Sequence, residues 1–146
     1  MKICFFGIYN HDYARTRVLR KAFKENGFEI IDCRVDPRKH MGFHKYFALW
    51  KTWRKIPVKN FNFLLVAYPG HSVVWLARIL FGGQIIFDAF LSLYDSNVYD
   101  RGIYSKTNPK AWYDWLLDAS SCRLADKIFL DTQSHINYFS ERYKIK

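Results

Sequence analysis

Unbroken apolar runs alternate with segments of helical period along this chain. Residues 2–9, from Lys2 through Phe5 and Phe6 to Tyr9, read as a buried strand. Residues 14–26 read as a helix with Val18, Leu19, Ala22 and Phe23 on one face and Gly27 as its stop. A second strand is predicted over 28–33. A third, over 61–67, is continuously apolar, as strands covered on both faces tend to be. Between them, Phe43, Tyr46, Phe47, Trp50, Trp53 and Ile56 recur at helical spacing, which predicts a crossover helix over 43–56. A helix over 72–81 ends at Gly82-Gly83, and a fourth strand follows over 84–87. Residues 88–108 form a polar and aromatic stretch longer than ordinary connections, which marks a functional loop. Asn108-Pro109 supplies a cap and a first-turn proline for a helix to about residue 125, with Trp112, Trp115, Leu116, Ala119 and Cys122 expected along its inner stripe. A fifth strand over 127–130 and a helix over 134–143 come last.

Strands alternating with helices predict an α/β domain: a doubly wound parallel sheet of Rossmann-like type, with helices on both faces and the expected order 3-2-1-4-5. One domain accounts for residues 1–146, and the pattern contains neither an internal repeat nor a flexible linker. In such a sheet ligands bind at the carboxyl edge, so the loops after Phe6, Ala67, Phe87 and Leu130 should share one site.

Composition sharpens this picture. Half of the residues are hydrophobic and 19% are aromatic, too much apolar surface for a disordered chain. Cys4, Cys33 and Cys122 match neither a disulfide framework nor a zinc pattern, and buried thiols in a reducing compartment are expected. The apolar start is too short for a signal peptide, and the longest apolar helix candidate has about half the roughly 20 residues of a membrane span. A cytosolic chain is expected. The formal charge of +10 is local, because Arg38, Lys39, Lys45, Lys51, Arg54, Lys55 and Lys59 fall in one connector without an acid.

Candidate chemistry gathers at the predicted edge. The first loop, with Gly7, Tyr9 and Asn10, has one glycine, so it carries neither the dinucleotide fingerprint nor a P-loop, and a nicotinamide enzyme is disfavoured. It feeds a helix N-terminus with Arg15 and Arg17, either an anion site or solvated first-turn residues. His71 in Tyr68-Pro69-Gly70-His71-Ser72 is either an edge imidazole or a packing residue. Asp88 is placed as a general base, with Ser92, Tyr94 and Asp95 beside it; the alternative is a carboxylate that ties down its own loop. Asp131-Thr132 repeats the geometry after strand five, where a helix cap is the simpler explanation. No His or Cys spacing suggests a metal. In the crossover helix, Lys45, Trp50, Lys51, Trp53, Arg54 and Lys55 could meet an anionic membrane, or the aromatics could pack on the sheet. Nucleic acid is a weaker reading of the same residues, for want of a recognition motif.

The opening Lys2-Ile3-Cys4-Phe5-Phe6-Gly7-Ile8-Tyr9, Arg15-Thr16-Arg17-Val18-Leu19, Glu29-Ile30-Ile31-Asp32-Cys33, Tyr68-Pro69-Gly70-His71, Phe87-Asp88-Ala89-Phe90-Leu91-Ser92, and Leu124-Ala125-Asp126 leading to Leu130-Asp131-Thr132 are together similar to the N-terminal domain of GT-B glycosyltransferases of family-four type. The resemblance covers essentially the whole chain. It implies the acceptor-binding half of an enzyme that moves a sugar from a nucleotide-sugar donor to a saccharide acceptor, often lipid-linked, at the inner membrane face. The implied acceptor residues are Gly7, Tyr9, Asn10, Arg15, Arg17, His71, Ser92, Asp95, Asp131 and Thr132. Many relatives carry a His where this chain has Asp88. The C-terminal domain that holds the donor in that family is expected to lie outside residues 1–146. The expectations are therefore no cofactor in this chain, that domain as a partner in cis or as a subunit, an acceptor glycan or glycolipid and an anionic membrane as further partners, and no transfer by this chain alone. A non-catalytic membrane-associated module is the alternative, and a flavodoxin-type nucleotide enzyme a third reading.

Overall fold

The computed structural model describes residues 1–40, 42–56 and 60–145, so Lys59 of the basic connector lies outside the described residues. In chain order the elements are β1 (Lys2–Ile8), α1 (Ala14–Glu25), β2 (Glu29–Val35), α2 (His44–Lys55), β3 (Phe63–Val66), α3 (Val74–Leu80), β4 (Gln84–Phe90), α4 (Leu93–Asp95), a π-helical turn (Ser96–Asp100), α5 (Pro109–Leu124), β5 (Lys127–Leu130) and α6 (Gln133–Tyr143). The five strands form one all-parallel sheet of Rossmann-like type.

The strand order is β2-β1-β3-β4-β5, not the expected 3-2-1-4-5. β3 is inserted between β1 and β4, with Ile3 opposite Phe63 and Phe63 opposite Gln84. Burial explains the difference. β3 is apolar at all four positions and buried at three, whereas β2 is buried only at Cys33 and Val35 of its seven positions and exposes Glu29 and Asp32. A strand apolar on both faces belongs inside the sheet, and one carrying Glu29, Asp32 and Arg34 belongs at its edge.

Side chains alternate between two cores, as strand geometry requires. On one face Cys4, Phe6, Leu64, Val66, Ile85 and Phe87 meet Leu49 and Trp53 of α2, Val74 and Ala77 of α3, Ala119 and Cys122 of α5, and Phe139 and Tyr143 of α6. On the other, Ile3, Phe5, Leu65 and Ile86 meet Leu19 and Phe23 of α1. Arg78 of α3 fastens the far end of the first layer: its Nε and Nη2 donate to the Leu124 carbonyl at the end of α5, and Nη2 also reaches Asp126, which accepts from the Ile85 N–H. Orphan carbonyls of a helix terminus are thereby satisfied.

Two expectations are corrected here. Trp53, placed at a membrane boundary from its spacing, is 3% exposed. Its ring packs edge-on against Phe6 (5.9 Å), Phe61 (5.7 Å) and Phe81 (6.3 Å), so it is a core residue. The predicted inner stripe of α5 is also shifted: Trp112 and Leu116 face outward, and Ala111, Asp114, Asp118, Ala119, Ser121 and Cys122 face inward.

The division of α2 into a buried and an open face gives a stability test. Truncating Trp53 to Ala should cost about 3–5 kcal/mol, as large aromatic deletions in cores do. Phe43→Ala, at a side chain 88% exposed, should stay within about 0.5 kcal/mol. Urea unfolding of the two variants checks both.

Candidate functional site at the carboxyl edge

In a sheet ordered 2-1-3-4-5 the connections diverge between β1 and β3, and the crevice above that point is where such folds take ligands. The loops after β1 and β3 meet there. Tyr13 and Tyr68 lie ring to ring at 6.0 Å, and the Tyr68–Pro69 peptide is cis. Gly7, the penultimate residue of β1, holds φ +147°, and a Cβ there would press on the Tyr9 ring at 3.3 Å. Gly70 is more constrained still, since a Cβ would stand 2.5 Å from Val66 Cγ1 and 2.8 Å from the Ala67 carbonyl oxygen. Both glycines let the loops close onto the strand ends.

Arg15, in the first turn of α1, is the hub of this edge. Its Nε donates to both Asp88 oxygens at 2.8 and 2.9 Å, its Nη2 to Oδ1 of Asp88 at 2.6 Å, and its Nη1 to Asp131. The side chains of Arg15, Asp88 and Asp131 are 16%, 2% and 37% exposed. One guanidinium thus gathers α1, β4 and the end of β5. A planar fork is the group suited to holding two carboxylates at once. The Arg15 guanidinium also lies 4.5 Å above the Phe90 ring. Phe90 holds φ +60°, an uncommon backbone for a bulky residue, at a slip in the β4–β5 register between Asp88 and Phe90. Tyr68 packs edge-on against the same ring at 5.0 Å. Asp88 therefore lies inside β4, which runs three residues beyond its expected end, and its oxygens are occupied by Arg15.

Beneath this edge lies a second, buried centre that the sequence pattern did not single out. Asp118 on α5 is fully buried. Its Oδ2 accepts from Ser92 Oγ (2.7 Å), Tyr143 Oη (2.9 Å) and the Tyr94 N–H (3.0 Å), and its Oδ1 from the Leu93 N–H (3.1 Å). His71 Nε2 stands 3.4 Å from Oδ1. Ser121 Oγ donates to the His71 carbonyl at 2.8 Å. One turn earlier on α5, Asp114 accepts from Asn97 Nδ2 at 2.7 Å and from the Tyr104 hydroxyl. Two acids a turn apart thus pin the 92–104 segment to α5. The only sequence trace of them is Asp114 and Asp118 at i, i+4 beside Ala111, Ala119 and Ser121, a small-residue face on which two carboxylates recur.

The expected site residues separate into three groups. Arg15, Asp88 and Asp131 come together at the edge. His71 and Ser92 belong to the buried Asp118 cluster, where Ser92 donates to Asp118 and not to the imidazole, so they form no nucleophile–base pair. Ser92 Oγ also accepts from the Asp95 N–H at 3.0 Å and so caps α4. The remainder are packed into the core, serve the backbone or face solvent. Tyr9 is buried with its hydroxyl on Asp32. Asn10 Oδ1 accepts from the Asp12 N–H, Thr132 Oγ1 caps α6 through the His135 N–H, and Arg17 is exposed on α1. Among the described residues no group of three or more His, Cys, Asp or Glu could hold a metal ion.

Fold and edge together define an α/β domain of Rossmann-like type whose carboxyl edge is closed by one arginine. Beyond that class, no family model matches the chain, and neither a curated protein nor a solved structure does.

Burial, opposed by Asp118 and by the Leu91 backbone, holds the His71 imidazole below its ordinary value of 6.5. As the pH falls through that value the unfolded chain takes up a proton that folded His71 resists, so unfolding is favoured by acid. The urea midpoint should fall between pH 7.5 and 5.5, and His71→Gln should show a flatter dependence over that window. Parallel slopes for the two proteins would refute the assignment.

Proposed function

We propose that this chain is the acceptor-binding domain of a glycosyltransferase, working against an anionic membrane surface on the cytoplasmic side. The nucleotide-sugar donor would be held by a C-terminal GT-B domain, in cis or on a separate subunit. The observation that carries the membrane part of this reading is the outer face of the first helical layer. Phe43 just before α2, Phe47 of α2, Trp75 of α3 and Tyr113 of α5 are all exposed large aromatics. Phe43, Tyr46, Trp75, Tyr113 and Leu117 line a groove of about 360 Å³ between these helices. Beside it Phe47 stacks on Trp50 at 5.6 Å, with Lys51 4.8 Å above the Phe47 ring and Arg54 5.1 Å above Trp50. Rings beside amines suit the boundary between acyl chains and phosphates, as at an interfacial helix. No helix among the described residues is long and apolar enough to cross a membrane, so the reading is of surface contact.

The alternative, a membrane-associated module without catalysis, is favoured by the occupation of both Asp88 oxygens by Arg15. A general base there needs Arg15 to release the carboxylate when the acceptor arrives.

Co-sedimentation with phosphatidylglycerol-containing vesicles tests the membrane contact. Lys51→Gln/Arg54→Gln/Lys55→Gln should weaken binding about a hundredfold, at roughly 1 kcal/mol for each cation. Equal binding to neutral phosphatidylcholine vesicles, or no loss in the triple variant, would remove the proposal's main support. In a transfer assay with common nucleotide sugars and a glycolipid acceptor, this chain by itself should give no multiple turnover; turnover would place the donor site within it.

A further inference from the structure

A second pocket, apart from the arginine-centred edge and from the α2 face, lies between the 92–106 segment, α5 and α6. Tyr94, Lys106, Trp112, Trp115 and Arg142 line a cavity of about 250 Å³. Its walls are three aromatic rings and two cations, with no carboxylate among them. The Arg142 guanidinium lies 5.0 Å above the Tyr94 ring, and Lys106 Nζ 4.8 Å above the neighbouring Tyr99 ring. Neither cation forms an ion pair with any described residue. Tyr94 is buried and fixed from behind, its N–H on Asp118, and Trp115 packs against Tyr143 at 6.4 Å. Trp112, by contrast, is 66% exposed. The rear wall is thus set by the Asp118 cluster, and the front is an open indole.

We propose that this pocket binds a single pyranose ring carrying an anionic group, a uronate carboxylate or a sugar phosphate. Every charged or hydrogen-bonding side chain group facing the pocket can donate, and the two cations rest on aromatic rings with no carboxylate partner among the described residues, so a ligand that supplies acceptors and negative charge is favoured. The indole faces provide flat apolar walls for the C–H face of a ring, and a cavity of this size takes one hexose-sized unit, being smaller than the ~300 Å³ at which drug-sized sites begin. The choice of a sugar over another flat anionic ring rests on the proposed function; the requirement for an anion does not. The pocket would then recognise an acidic residue of the acceptor glycan.

The test is a ¹H–¹⁵N NMR titration of the whole chain with D-glucuronate, glucose 1-phosphate, glucose and adenosine monophosphate, reading the indole N–H signals of Trp112 and Trp115. Saturable shifts of these signals with glucuronate or glucose 1-phosphate, at least roughly tenfold tighter than with glucose, are expected. Trp112→Ala and Arg142→Gln should each abolish them. Trp112→Ala sits at an open position, and a dispersed spectrum confirms that it is folded. Absence of saturable shifts at millimolar ligand, equal response to glucose, tighter binding of adenosine monophosphate, or shifts unchanged in the two variants would each overturn the proposal. Because the pocket lies off α2, a failed vesicle test would leave this titration unaffected, and a failed titration would leave the membrane contact standing.

Discussion

The structure depends most on one buried carboxylate. Asp118 brings a charge into the interior, which is costly unless every lone pair finds a donor. It finds four hydrogen-bond donors and a neighbouring imidazole, drawn from the turn after β3, from α4 and from α6. Each of these segments is irregular or lies late in the chain, and Asp118 ties them to one point. Tyr143, near the end of the described chain, is fully buried because its phenol points at this acid; burial first, and then Asp118, push that phenol above its ordinary value. The acid sets where α6 lies and how the 92–104 segment turns. The shape of the second pocket and the support of the edge follow from that placement.

The Arg15 hub works in the opposite sense. Asp118 is one acid satisfied by many neutral donors, whereas Arg15 is one cation shared between two acids at a half-open rim. A buried network of the first kind specifies a unique arrangement. A rim pair can be exchanged for a ligand that offers the same charges, since water reaches Asp131. The unusual backbone at Phe90 lies between these centres, under the Arg15 guanidinium and three residues from the first Asp118 donor on α4. Strain of this kind persists only where surrounding contacts over-determine it, and here both flanks are fixed.

How much of this could be read from the residues depends on which force set each feature. Apolar runs and helical periods placed the five strands and the long helices near their observed bounds, because burial governs both pattern and structure. Strand order was not legible in the same way: 3-2-1-4-5 and 2-1-3-4-5 use identical elements, and only the exposure of Glu29 and Asp32 against the unbroken Phe63–Val66 run separates them. Arg15, Asp88 and Asp131 were each picked out singly from their loop positions, yet their mutual pairing spans 73 and 116 residues of separation, which no local pattern encodes. Asp118 is hidden in the pattern for a different reason. An acid on a helix is assumed to face water, and its partners Ser92 and Tyr143 lie 26 and 25 residues away on either side.

The error over α5 carries a physical lesson. Hydrophobicity at helical spacing points Trp112 and Leu116 inward, but the inner face holds Ala111, Ala119, Ser121 and Cys122 with the two acids. Small residues let a helix approach its neighbours closely, and the acids then reach donors that a bulky side chain would keep away, backbone N–H groups for Asp118 and the Asn97 and Tyr104 side chains for Asp114. The large rings of Trp112, Tyr113 and Leu116's aliphatic chain are displaced outward as a result. Folding does not account for them there, since an indole two-thirds exposed contributes little of the burial that stabilises a core. Together with Phe43, Phe47 and Trp75 they make an apolar exterior that no stability argument requires. On the reading proposed above, the rings around α2 would meet a lipid boundary and the indole of Trp112 a sugar ring, and such contacts outside the domain would account for side chains that burial does not.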